Sequence, residues 1–244
     1  MIDPRTTIID KRLKKISKII AVSSGKGGVG KSLIATTLAL ALAKKNCKVG
    51  LFDLDFTSPS THIILGAKDA QPKEEKGIIP PIVKGIEYMS LIYYTGDHAT
   101  PLRGADVSNA LIELLSLTRW NELDFLVIDM PPGIGDAVLD LIRLVKNLEF
   151  LIVTTSSQLA FETVKKLTSL LQDLKVPIIG VVENMKMNET KKIKQQTEKL
   201  GITFLGEIPY DPNVEAAIGD ETKLLETTLA QKIKEIATNN LIHN

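Results

Sequence analysis

The amino-acid sequence predicts an α/β fold: a doubly wound, mainly parallel sheet with helices on both faces. Three observations carry that expectation. Short apolar runs such as "KIIAVSS", "DFLVIDM" and "EFLIVTT" lack polar alternation, as strands covered on both sides do. Segments with helical spacing of apolar residues separate these runs, so strands and helices alternate along the chain. A glycine loop, "SSGKGGVGKS", links the first strand to its following helix, where inward-turned backbone N–H groups can meet an anion.

Residues 1–17 are an N-terminal extension with Lys and Arg spread through it. It has neither a continuous apolar core nor a small-residue cleavage site, so it is no secretory signal. "KIIAVSS" is then the strand that feeds the glycine loop, and "LIATTLALALAKKN" the helix that opens on it. "KVGLFDLD" is a second buried strand. Residues 66–85, "GAKDAQPKEEKGIIPPIVKG", break the rhythm with charge and proline and are expected as a surface insertion with room for a short hairpin. "IEYMSLIY", "DFLVIDM", "EFLIVTT", "PIIGVVEN" and "TFLGEI" follow as strands, with "DVSNALIELLSLT", "AVLDLIRLVKN", "AFETVKKLTSLLQDL" and "ETKKIKQQTEKL" as helices between them. A C-terminal helix is expected over 222–239. Leu229, Ile233 and Ile236 share one face of it, and without bulky aromatics or a dense basic face it should dock on the body instead of anchoring to a membrane.

At 244 residues and 44% hydrophobic content, one domain over 1–244 is the expectation. The 30 basic and 29 acidic residues leave a net charge of +1, so no global field draws the chain to nucleic acid or anionic lipid, and neither is expected as a partner. Cys47 is the one cysteine, which excludes a disulfide framework or a thiolate metal site within the chain. No apolar stretch reaches membrane-spanning length, and a cytoplasmic location is expected. His62 and His98 are isolated in the sequence and show no metal-ligand spacing, so no chemistry is assigned to them.

The loop matches G-x-x-x-x-G-K-[ST] through Gly25, Gly30, Lys31 and Ser32. Gly25, Gly27, Gly28 and Gly30 let successive N–H groups turn onto phosphate oxygens, the helix dipole adds positive potential, and Ser32 is placed for Mg²⁺. Lys26 is a second cation in the same loop. "FLVIDMPPG" ends a strand with Asp129, placed to hold that metal through water, and Gly133 follows where its N–H can sense a terminal phosphate. "GLFDLD" ends another strand with Asp53 and Asp55 on one face; a solvated strand end is the competing reading, and position one helix after the loop favours function.

From Lys18 to about Lys223 the chain resembles the deviant Walker A ATPases of the MinD/ParA/nitrogenase-iron-protein class, and within them the Mrp/ApbC branch of iron-sulfur carriers. The stretches "AVSSGKGGVGKS", "LFDLDFTSPSTHIILG", "PLRGADVSNALIELL", "LDFLVIDMPPGIGD", "LIVTTSSQLAF", "GVVENM" and "LGEIPYDPNV" occur in that family's order and spacing. The resemblance implies ATP or ADP as ligand with Gly25, Lys26, Gly27, Gly28, Val29, Gly30, Lys31, Ser32 and Leu33 around it. It implies Lys31 on the β and γ phosphates, Ser32, Asp53 and Asp129 around Mg²⁺, and Asp55 orienting the attacking water. Asn184 falls on the adenine edge, with Pro209 and Tyr210 beside the base. Lys26 is implied to act across a two-fold homodimer on the partner's nucleotide, a cationic finger of a kind that can supply about 10³ to 10⁵ in rate.

The chain departs from that branch in one respect. Mrp/ApbC carriers place a C-x-x-C shortly after the segment matching "ENM", and here "ENMKMNETKKIKQQTEKLGITFLGEIPYD" has no cysteine, so an iron-sulfur cluster lacks its family ligands. The expected function is a slow dimeric ATPase switch of iron-sulfur carrier or assembly type, acting with metallocofactor-assembly or target proteins. An ATP-gated positioning or partition switch without metal cargo is the alternative.

Overall fold

The computed structural model describes residues 3–67, 70–95 and 104–242. In order, α1 (Arg5–Leu13) and β1 (Ile16–Ser24) lead into α2 (Lys31–Ala43), β2 (Val49–Asp53) and α3 (Thr61–Leu65). Three two-residue strands, β3 (Lys73–Glu74), β4 (Ile78–Ile79) and β5 (Ile82–Val83), precede β6 (Ile86–Ser90), the single turn α4 (Ile92–Thr95) and α5 (Ala105–Leu117). The second half runs β7 (Leu123–Asp129), α6 (Asp136–Leu144), β8 (Leu148–Thr155), α7 (Gln158–Asp173), β9 (Ile178–Lys186), α8 (Lys192–Lys199) and β10 (Phe204–Pro209). It closes on α9 (Asn213–Ala217), α10 (Glu221–Glu226), α11 (Thr228–Ala237) and a π-helical turn over Thr238–Ile242.

Eight of these strands form one sheet in the order β10-β9-β8-β1-β7-β2-β6-β5, parallel throughout except for β5 at its edge. The unalternating strands are explained by two apolar layers. In β1, Ile16, Ile19 and Ala21 face the layer built with Leu111, Val138, Phe161 and Ile193, while Ile20 and Val22 face that of Ile34, Ile64, Leu224 and Ile233. Helices α1 and α5–α8 thus cover one face, and α2, α3 and α9–α11 the other. The predicted doubly wound, mainly parallel sheet is observed.

Three boundaries differ from the sequence reading. Residues 3–17 of the expected extension are part of the core: α1 packs on α5 and α6, burying Ile9 and Leu13, and β1 already begins at Ile16. The 66–85 insertion, as far as it is described, forms the antiparallel β3–β4 hairpin and then β5, which extends the main sheet; Ile78 and Val83 are buried, so it is only partly a surface excursion. The helix expected over 222–239 is two helices, because Thr227 leaves helical geometry and its hydroxyl accepts the Ala230 N–H at 3.2 Å, capping α11. Leu229, Ile233 and Ile236 are buried against the α2 side, as the shared face predicts. His98 lies outside the described residues.

Candidate functional site

Sheet register brings the chemistry to one end. Asp53, last residue of β2, pairs directly with Asp129, last of β7, and Val22 of β1 pairs with Asp129 on the other side. The loop from Gly25 to Gly30 leaves β1 at that same end and hands over to α2. Two glycines are required there by packing. A Cβ on Gly25 would lie 2.6 Å from the main-chain carbonyl carbon of Thr163, on α7. Gly30 has φ +82°, and a Cβ there would run into the Asn184 amide.

Lys31 is buried, and its Nζ donates to Asp129 Oδ1 at 2.6 Å and to Ser32 Oγ at 3.2 Å, with Asp55 Oδ2 at 3.7 Å. Asp129 is fully buried, and its second oxygen has no hydrogen-bond partner among the described residues. Burial raises the Asp129 carboxyl above the usual range against the opposing pull of Lys31. Burial, then the neighbouring Asp129 charge, pushes Asp53 up to about 7.

The two carboxylates of "DLD" have separate tasks. Asp53 Oδ1 accepts the Asp55 N–H at 3.0 Å, and its Oδ2 accepts the Thr61 hydroxyl at 2.6 Å and the Thr61 N–H at 3.3 Å. Asp55 Oδ1 accepts from Thr57 N–H, Thr57 Oγ1 and Ser58 N–H at 3.2, 2.7 and 3.1 Å, which leaves its Oδ2 toward Lys31. Asp53, expected among the residues around Mg²⁺, is engaged here within its own chain. Both its oxygens already hold the following loop, because β2 ends there and the 55–61 backbone has no ladder to satisfy it.

Lys26 is exposed and makes no ion pair among the described residues; only its main-chain oxygen is used, by Ser24 Oγ at 3.0 Å. Gly27 and Gly28 are exposed beside it. Val29 is buried, and its carbonyl accepts the Asn184 Nδ2 at 3.0 Å. The Gly133 N–H donates to the Ser24 carbonyl at 2.9 Å, so the phosphate-sensing donor read from sequence is engaged by the start of the glycine loop. Leu33, Asn184, Met185, Pro209, Tyr210 and Leu229 help line a cavity of about 170 Å³ next to the loop, and the Tyr210 N–H is pinned to the Lys186 carbonyl at 3.0 Å. The structure thus brings the residues expected at the base into one cavity. Ser24, Thr61, Tyr88 and Thr163 were not singled out in the sequence.

The oxygen donors fit Mg²⁺. Among the described residues no three or more His, Cys, Asp or Glu form a metal-binding group by themselves, and Mg²⁺ is a cation held by one or two carboxylates plus phosphates and water. The unpartnered Asp129 Oδ2, near Ser32, is a donor of that kind. No helix among the described residues is long and apolar enough to cross a membrane.

Comparison with known proteins agrees with this geometry. The family model described as ParA, NUBPL iron-transfer P-loop NTPase, matches residues 15–242. An iron-sulfur cluster carrier protein of Pseudomonas fragi is 44% identical over 178 residues, covering 71% of this chain, and the chain spans 62% of that relative's length. One from Methanocaldococcus jannaschii is 36% identical over 247 residues, covering 93% of this chain and 85% of the relative. Among solved structures, a nucleotide-binding protein from Archaeoglobus fulgidus in complex with ADP is 32% identical with a TM-score of 0.77, over 91% of this chain and 93% of that one.

Proposed function

The chain belongs to the ParA/NUBPL iron-transfer family of P-loop NTPases, and from that premise we propose that it is a slow, Mg²⁺-dependent ATPase that works as a dimeric switch in iron-sulfur cluster assembly. The observation that carries the proposal is the buried convergence of Lys31, Asp55 and Asp129 at the mouth of the glycine loop, beside the cavity at Asn184 and Tyr210. ATP would lie with its phosphates on the N–H groups of residues 25–32 and its base in that cavity. Lys31 supplies the point charge for the β and γ phosphates, exchanging Asp129 for them. Ser32 and Asp129 are the groups to hold Mg²⁺, which when bound neutralises charge on the phosphates.

Asp55 is placed for the attacking water through Oδ2, since its other oxygen is spent on the Thr57–Ser58 turn. Lys26, exposed and without an ion pair among the described residues, is assigned to the partner protomer's phosphates. Iron-sulfur cargo is handled with thiolates from partner proteins, because residues 185–206 carry no cysteine. That same observation favours a second reading, an ATP-gated positioning switch without metal cargo. ATP-dependent, salt-sensitive retention on DNA or co-sedimentation with liposomes distinguishes it.

Calorimetry tests the main reading. Wild type should bind Mg-ATP with a Kd of about 1 μM or below, and Lys31→Ala should not. Retained affinity in that variant would remove the site from the glycine loop.

A further inference from the structure

We propose that Thr61 is a positioning residue for this site: its hydroxyl, held between Asp53 and Tyr88, fixes the loop that aims Asp55 at Lys31. The proposal rests on the ATPase reading above and assigns a task to two residues that reading does not use. Asp53 ties down both ends of the 55–61 segment, taking the Asp55 N–H on one oxygen and the Thr61 N–H and hydroxyl on the other. Thr61 Oγ1 also lies 2.9 Å from Tyr88 OH.

A threonine hydroxyl has one proton, and with Asp53 ionised that proton goes to the carboxylate at 2.6 Å. Tyr88 must then donate to the threonine lone pair. With Asp53 ionised, the chain of donors runs one way, Tyr88 to Thr61 to Asp53. All three residues are at most 1% exposed, so water does not compete for these bonds. The Tyr88 ring is set by an edge contact with Tyr93, centroids 5.7 Å apart. At the far end of the loop the consequence is geometric: Asp55 keeps one oxygen in the Thr57–Ser58 turn and the other 3.7 Å from Lys31 Nζ. Thr61 reaches the reacting groups only through Asp53, so it positions and does not itself react.

Three variants test this. Thr61→Val keeps the shape and removes the hydroxyl, Thr61→Ser keeps the hydroxyl, and Tyr88→Phe removes only the outer donor. ATP turnover should fall at least about tenfold in Thr61→Val, with KM and Mg-free ADP affinity within about threefold of wild type, and Thr61→Ser should recover most of the loss. Tyr88→Phe should fall between them. Amide hydrogen exchange of residues 55–61 is the second readout: protection should drop in Thr61→Val and return in Thr61→Ser. Wild-type kcat in Thr61→Val, or unchanged protection there, would overturn the assignment, and if Thr61→Val fails to fold, wild-type kcat and protection in Tyr88→Phe would do so. Absence of ATP turnover in wild type that still binds ADP would sink the ATPase reading alone, and the exchange data would then decide the role of Thr61.

Discussion

Replacing Lys31 with methionine separates its charge from its packing. The methionine side chain fills much of the lysine stem's space but leaves the Asp129 carboxylate, 0% exposed, without the ammonium 2.6 Å away. Removing one partner of a buried pair costs about 3–5 kcal/mol. Burial already holds Asp129 above the usual carboxylate range, so the abandoned carboxyl can take up a proton and bring the loss toward the lower end of that interval. Asp129→Asn should be destabilising for the mirror reason, since it leaves the ammonium without its main counter-charge and with only Asp55 at 3.7 Å. In the double variant both charges are gone, so the two losses should not add. A coupling of about 2 kcal/mol is expected from the cycle. Urea unfolding of the four proteins, with m-values compared to check that the unfolded state is unchanged, measures it. Additivity within about 0.5 kcal/mol would show that Lys31 and Asp129 are not coupled.

Three further outcomes follow from the geometry. Gly30→Ala should destabilise by about 2–4 kcal/mol, combining left-handed strain with loss of the Asn184–Val29 hydrogen bond, and should weaken ADP binding; unchanged urea midpoint and affinity would contradict the packing. Asp55→Ala should bind Mg-ATP within a few-fold of wild type while turnover drops by about 10² or more, measured by phosphate release; surviving turnover would place water activation elsewhere. Anaerobic reconstitution of this chain with iron and sulfide should leave no stable bridging [4Fe-4S] cluster in wild type or Cys47→Ser, because a two-fold dimer offers only two Cys47 thiolates. Iron and acid-labile sulfide per dimer measure this, and stoichiometric cluster lost in the serine variant would give Cys47 the ligand role.

The strands and the glycine loop were legible because their signals are local. Continuous apolar runs report burial on both faces, and the spacing of Gly25, Gly30, Lys31 and Ser32 is a motif in itself. Asp129 and Asp53 were found as strand ends. Their division of labour was not legible, because it depends on which donors the 55–61 backbone brings back to Asp53, and Thr61 carries no periodic signal. The use of the Gly133 N–H by Ser24, and of the Asn184 amide by Val29, were hidden for a different reason: each joins segments more than 100 residues apart. The C-terminal break at Thr227 was within reach of sequence reasoning, since "ETT" ahead of an apolar face is a cap signature that the long helical pattern masked.

In the proposed function two protomers share each hydrolytic site, with Asp55 acting in its own chain and Lys26 in the partner's. Complementation tests it directly. Lys26→Ala and Asp55→Ala should each be nearly inactive alone, yet an equimolar mixture, re-equilibrated with ATP, should recover about a quarter of wild-type phosphate release, because half the dimers are mixed and one of their two sites is intact. A mixture no more active than the separate variants, with mixed dimers demonstrated by differential tags, would contradict catalysis across the interface.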